Sequence, residues 1–212
     1  MNYKDCDILI LGGGMVGLSL ANQLIENKLS DRVILFDKEK KLGKHSSGRN
    51  SGVLHAGIYY KPDSIKAKVC VKGAKRLKDW VIRNNLPINR CGKLIVPQKE
   101  YLDFQLEELA KRGEANGADV DIWNSKKLKS FAPYVNSASG RALWRPNTSV
   151  VKPLAIINSL SKELTSKGLD IINIEVNQDW YLEPEKKVLK INDNQIVKYK
   201  FLINCAGLQA DR

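Results

Sequence analysis

The apolar positions of this chain change period along its length, and the changes mark its elements. Residues 6–11 and 33–36 are short apolar runs rich in β-branched and large aliphatic side chains. The first is closed by glycines and the second by Asp37, so both read as buried strands. A helix is expected from about Met15. Over residues 62–84 the apolar positions Ile65, Val69, Leu77, Trp80 and Val81 fall on one helical face, with Pro62 near the first turn. Residues 93–96 read as a strand, 101–115 as a helix with Leu102, Leu106 and Leu109 on one side, and 119–123 as another strand. Ser125 reads as the cap of a short helix. Two strands, 140–145 and 148–151, flank Pro146 and Asn147. Residues 153–166 return to a helical pattern that stops at Gly168, a C′ glycine. The last stretch is strand-rich, with strands at 170–176, 188–191, 196–199 and 201–206. Strands alternating with helices predict an α/β fold on a doubly wound parallel sheet.

The first two strands answer each other. Leu11 runs into Gly12-Gly13-Gly14-Met15-Val16-Gly17, a G-x-G-x-x-G pattern, and Asp37 lies 20 residues beyond Gly17. In a β-α-β unit this arrangement holds a dinucleotide. Gly12 makes the tight turn, Gly14 lets a pyrophosphate approach the backbone, and Gly17 lets the helix pack on the strand. The helix that opens with Met15 and Val16 aims free N–H groups and its positive dipole end at the phosphates. Asp37 accepts hydrogen bonds from a ribose hydroxyl, with Lys38 beside it. The glycines alone would be weak evidence; glycines, helix, second strand and acid in register are not.

A loop, residues 45–60, follows the acid with neither strand nor helix period. It is rich in Gly, Ser and Asn, and holds both histidines of the chain, His45 and His55. Long irregular loops inside compact domains are usually functional. This one is placed to run beside an extended dinucleotide, with His45, Ser46, Ser47, Asn50 and Ser51 as polar contacts and small residues allowing close backbone approach. A nicotinamide dehydrogenase also fits the glycines, but does not explain this loop.

Residues 48–70, followed by Cys91-Gly92-Lys93-Leu94-Ile95-Val96, resemble the L-2-hydroxyglutarate dehydrogenase/oxidase family. That family lies within the D-amino-acid-oxidase-like group of FAD flavoproteins. The resemblance extends through Ala206-Gly207 to Arg212. It implies a Rossmann-like FAD-binding domain with an inserted, incomplete α+β substrate domain. Residues 1–84 and 148–212 would form the FAD domain and 85–147 the inserted segment. It implies FAD as cofactor, a small 2-hydroxy acid oxidised to the 2-oxo acid, and oxygen or a quinone as electron acceptor. Family members are nearly twice as long, so the chain is expected to be an N-terminal half, inactive by itself. Val176, Ala206 and Gly207 match positions where the fold meets the dinucleotide.

For the chemistry, His55 is the candidate base, since an imidazole titrates near neutrality; packing on the flavin ring or attachment to it is the competing role. Arg49 stands where the family has histidine, and would clamp a carboxylate or hold the flavin's carbonyl region. An amine or amino-acid oxidase of the same superfamily, or an inactive FAD-binding fragment, stays open as the alternative.

Composition changes this picture little. Lys+Arg 35 against Asp+Glu 23 gives a formal net charge of +12. The basic residues are scattered rather than gathered with aromatics on one face, which argues against a nucleic-acid partner. The cysteines (Cys6, Cys70, Cys91, Cys205) lack metal or disulfide spacing and read as small buried hydrophobes in a reducing compartment. No signal peptide is expected, and no run of ~20 apolar residues occurs in the sequence. Cytoplasmic location is expected, with peripheral membrane contact left open.

Overall fold

The computed structural model describes residues 5–55, 57–174, 181–183, 185–192 and 195–211. The chain divides into two compact units, Met1–Asn50 with Pro153–Arg212, and Ser51–Lys152.

The first unit begins with β1 (Cys6–Leu11), α1 (Met15–Glu26) and β2 (Val33–Asp37), as the apolar pattern predicts. After the second unit's elements come α5 (Pro153–Ser166), β9 (Asp170–Asn173), β10 (Tyr181–Glu183), β11 (Val188–Asn192) and β12 (Gln195–Asn204), numbered along the whole chain. One sheet joins the strands in the order β10-β11-β12-β1-β2-β9. β12, β1, β2 and β9 run parallel, whereas β10 and β11 are antiparallel. Parallel strands covered on both faces need apolar side chains on both, and Ile8, Leu9, Ile10 and the four residues 33–36 are all buried. Leu9, Ile34 and Phe36 share a cluster with Leu189, Ile191, Val197 and Tyr199. Ile10 faces α1, where it packs beside Gly17. α1 buries Leu18, Ala21 and Leu24, and α5 buries Ile156, Ile157, Leu160 and Leu164, each set at helical spacing. Gly168 takes φ +96° after α5, as a C′ glycine should.

Strands expected separately at 196–199 and 201–206 form one ten-residue strand, β12. Its first half pairs antiparallel with β11 and its second half parallel with β1. Only Lys200 separates the two patterns, and lysine does not break a strand. β9 ends at Asn173, and Val176 lies outside the described residues.

The second unit holds β3 (Val53–Leu54), α2 (Ile65–Arg83), β4 (Ile88–Asn89), β5 (Lys93–Ile95), α3 (Phe104–Ala115), β6 (Asp121–Trp123), α4 (Ser125–Phe131), β7 (Ala142–Arg145) and β8 (Ser149–Val151). They form two three-stranded sheets, β3-β8-β4 and β5-β7-β6. The breaks at 50/51 and 152/153 differ from the expected 84/85 and 147/148. The physical reason is β3, which pairs with β8 through Val53↔Val150 and carries residues 51–84 into this unit. No local pattern announces a two-residue strand paired almost a hundred positions away.

Smaller differences follow from side-chain chemistry. α2 starts at Ile65 because the Ser64 hydroxyl caps it, accepting from the Ala67 amide at 3.2 Å. Ile65 and Val69 are exposed rather than part of a buried face; Ala67 and Val81 are buried instead. α4 is capped by Asn124, whose Oδ1 accepts from the Lys127 amide, and Ser125 is its first residue. All four cysteines are free thiols, but only Cys6 is buried, where desolvation pushes its pKa up to about 11, and Cys91 is exposed. Among the described residues no helix is long and apolar enough to cross a membrane.

Candidate functional site

The carboxyl ends of β1 and β2 lie side by side, where the glycine turn leaves the sheet. The Gly12 amide donates to the Phe36 carbonyl at 2.7 Å, which ties the turn to β2. Gly12 takes φ +108°, and a Cβ there would overlap the Cys205 carbonyl oxygen. A Cβ on Gly17 would overlap the Gly12 carbonyl oxygen. These two positions therefore need glycine for backbone packing, before any ligand is considered. Gly13, the unspecified position of the motif, is equally confined: a Cβ there would overlap Leu42, with Asp37 and Leu35 close behind. Three consecutive glycines were the signal for it.

Gly14 differs. Its backbone is extended (φ −75°, ψ −176°), and the nearest atom to an added Cβ is the Ser47 Oγ at 2.9 Å. That hydroxyl accepts the Met15 amide of α1 at 2.9 Å. Gly14 has no side chain to cap the helix, so a serine 33 positions later takes the role. A Ser47→Ala variant is expected to lose about 0.5–2 kcal/mol of stability, the usual worth of such a cap, read as a lower urea midpoint. A parent-like midpoint would show that the hydroxyl does no structural work.

Asp37 is held on both oxygens. Oδ2 accepts the Gly13 amide at 2.7 Å and Oδ1 accepts the Glu39 amide at 2.8 Å. Each carboxylate oxygen can accept a second bond, so the acid is oriented with capacity to spare. Lys38 follows it, half-buried. His45 pairs with Glu39, Nε2 to Oε1 at 3.1 Å, and Lys44 joins the same carboxylate at 3.4 Å.

The loop after the acid is more ordered than its sequence suggests. The Gly48 and Arg49 amides both donate to the His45 carbonyl, and Asn50 Nδ2 donates to the carbonyls of Ser46 and Ser47. Asn50 thus closes a tight turn. Gly48 lies so close to the Gly43 carbonyl that a Cβ would overlap it, and Gly43 takes φ +77° against Ile157 of α5. The five-residue glycine spacing is what seats Ser47 at α1, and sequence reasoning did not weigh it. On the other side of the turn, Asn204 Oδ1 accepts the Ala206 amide at 3.0 Å, and the Cys205 amide donates to Leu11. Gly207 takes φ +64° at the start of a 3₁₀ turn.

The fold therefore gathers Gly12, Gly14, Met15, Gly17, Asp37, Ser47 and Ala206 in the first unit. Val16, also at the start of α1, is exposed. Arg49 is exposed in the first unit, while Ser51 and His55 are exposed in the second. The His55 carbonyl accepts from the Cys70 thiol at 3.2 Å; among the described residues nothing hydrogen-bonds its ring.

The residues present fit a dinucleotide phosphate. α1 begins at a turn stripped of side chains and has no acid in its first turn, so its positive end is not already neutralised there. A parallel sheet, a glycine turn at a helix N-terminus and an oriented acid at the end of the next strand define a dinucleotide-binding α/β protein. The chain belongs to the FAD dependent oxidoreductase family, whose sequence model matches residues 7–212.

It is similar to L-2-hydroxyglutarate dehydrogenases: 34% identical to that of Escherichia coli K12, over 97% of this chain and 48% of that protein. Identity is also 34% to the enzyme named mitochondrial L-2-hydroxyglutarate dehydrogenase in Dictyostelium discoideum, over 100% of this chain and 51% of that protein. The chain spans about half the length of the curated relatives it matches. Among solved structures it resembles L-α-glycerophosphate oxidase from Mycoplasma pneumoniae with FAD bound, at TM-score 0.79 and 25% identity, over 96% of this chain and 54% of the other. Glycine oxidase from Geobacillus kaustophilus, at TM-score 0.81 and 17% identity over 99% and 57%, shares the fold.

Proposed function

We propose that the complete protein binds FAD through the first unit and oxidises a small 2-hydroxy acid of the L-2-hydroxyglutarate kind to the 2-oxo acid. The observation that carries this reading is identity of 34% across nearly the whole chain to proteins bearing that name in a bacterium and in eukaryotes. An amine or amino-acid oxidase is the weaker reading, because the solved structures with names of that kind share 16–20% identity and speak for the fold alone.

Bound FAD supplies a two-electron acceptor for the substrate's Cα hydrogen. The rest is work for this chain. Gly12 shapes the turn, Gly17 lets α1 pack on the strand, and Gly14 leaves room for the pyrophosphate, with Met15, Val16, Ser46 and Ser47 around it. Asp37 accepts from the ribose through its spare lone pairs, with Lys38 and His45 flanking it. Asn50 and Ser51 continue the cradle, and Ala206 and Gly207 close its other side. His55 takes the hydroxyl proton, and Arg49 holds the carboxylate next to that hydroxyl. The electrons leave to oxygen or a quinone. Location in the cytoplasm belongs to the same reading; the eukaryotic relatives carry the word mitochondrial in their names.

The test is direct. The complete protein should purify yellow, release FAD on denaturation, and lose its visible flavin absorbance under nitrogen when L-2-hydroxyglutarate is added. Bleaching by D-amino acids or glycine, with none by the hydroxy acid, would move the assignment to the amino-acid oxidases. A colourless protein that binds NADH would end both.

A further inference from the structure

Within the second unit the structure brings together two cations that form no ion pair among the described residues. Lys93 of β5 and Arg145 of β7 are directly opposed in the antiparallel register. Residues paired this way project on the same face of a sheet, and like charges so placed repel. Neither has an ion-pair partner among the described residues. Lys93 donates to the Tyr59 hydroxyl at 2.6 Å and lies 4.6 Å from its ring centroid. Arg145 donates through Nη1 to the Thr148 hydroxyl at a long 3.3 Å. Its Nε is shut off from solvent and donates to nothing. Burial pulls the Arg145 pKa down, opposed through space by Asp119 and by Cys70. The Asp119 carboxylate is itself engaged by the Asn147 amide.

Lys93, Arg145, Thr148 and Tyr59 line one cavity with His55 and the apolar side chains of Val53, Leu54 and Ile58. Its volume of about 10 Å³ has room for a single water-sized group, so one carboxylate oxygen would enter it and the rest of a ligand would lie outside. A guanidinium with an unspent edge, an ammonium beside it and an aliphatic wall match a carboxylate at the end of a short methylene chain. A phosphate is bulkier and lacks the chain that the wall would cover.

We propose that Lys93 and Arg145 form a carboxylate-binding site for the end of a dicarboxylate substrate remote from its hydroxyl, with Val53, Leu54 and Ile58 against the methylenes. The proposal rests on the 2-hydroxy-acid reading above and names what makes it a dicarboxylate enzyme. Arg145 contributes a fork and Lys93 a point charge, so Arg145 carries more of the selectivity.

The experiment uses the FAD-loaded complete protein and two redox-inert probes of equal length, glutarate and valerate, measured by isothermal titration calorimetry. The parent should bind glutarate more tightly than valerate. Arg145→Met should weaken glutarate by about 10- to 100-fold, the usual loss for a charge-assisted contact, and leave valerate unchanged. Lys93→Met should act in the same direction with a smaller factor, and it carries the test if Arg145→Met does not fold. Arg145→Lys should recover part of the loss. In stopped-flow flavin reduction the same variants should raise the half-saturating concentration of L-2-hydroxyglutarate and leave that of L-2-hydroxyvalerate alone. Equal losses for both chain types, or no preference for glutarate in the parent, would overturn the site. So would inorganic phosphate competing as well as glutarate does. Glutarate binding that depends on Arg145, without flavin reduction by any 2-hydroxy acid, would sink the proposed activity and leave the site standing. An unchanged half-saturating concentration of L-2-hydroxyglutarate in Arg145→Met and Lys93→Met would do the reverse.

Discussion

A Gly17→Ala variant is expected to lose both stability and FAD, whereas Gly14→Val should lose FAD with only the smaller loss of stability that displacing the Ser47 cap brings. The two glycines belong to one motif, but their surroundings differ. At Gly17 an added methyl overlaps the carbonyl oxygen of Gly12. That oxygen cannot retreat, because the Gly12 amide is bonded to Phe36 and the turn lies against the Cys205 carbonyl. Forcing atoms into such a site costs about 1–3 kcal/mol or more, and each kcal/mol lowers the thermal midpoint by about 2–4 °C in a chain of this size. At Gly14 the obstacle is the Ser47 hydroxyl, the far end of a rotatable side chain. The chain can absorb valine there at the cost of the Ser47 cap, and on the proposed reading the space taken is that of the pyrophosphate. Its FAD dissociation constant should rise by about 100-fold or more, roughly 3 kcal/mol. Thermal unfolding and flavin titration of the two variants separate the effects. A yellow Gly14→Val protein with parent-like affinity would remove the pyrophosphate from this turn, and a Gly17→Ala protein as stable as the parent would contradict the packing.

His55→Ala is expected to retain FAD and to slow flavin reduction by L-2-hydroxyglutarate by ~100- to 10,000-fold, about 3–5 kcal/mol in the barrier. The ring is exposed on the second unit, and no described residue holds its nitrogens by a hydrogen bond, so either is available to take a proton. The main chain at this point is anchored, through the Cys70 thiol on the His55 carbonyl. The pH dependence of the reduction rate should flatten in the variant, because the proposed base is gone. If His55 instead supports the flavin ring, the variant will show weaker FAD binding or an altered visible spectrum, and reduction after reconstitution will stay within a few-fold of the parent. Stopped-flow reduction across pH decides between these roles.

The glycine motif, its strand, its helix and Asp37 were legible because each depends on local pattern. A continuous apolar run over Cys6–Leu11, period 3.6 from Met15, and a carboxylate at the end of Val33–Asp37 are properties of neighbouring residues. The loop after Asp37 was legible as a place but not as a shape. Its compact turn depends on Gly43 and Gly48 resting against α5, more than a hundred positions away. The compact units divide at other positions than the pattern suggested for the same reason, since β3 pairs with β8 and no periodicity joins them.

By itself, then, the sequence determined the parallel α/β framework, the dinucleotide turn and the family resemblance, all of which rest on short-range spacing and on residue types that few other folds would need. Only the tertiary structure decided that Ser47 caps α1, that Asp37 is oriented by the Gly13 and Glu39 amides, and that Lys93 stands opposite Arg145. Those facts depend on strand register and loop closure. A shift of one residue in the β5–β7 pairing would send the two cations to opposite faces without changing a letter of the chain.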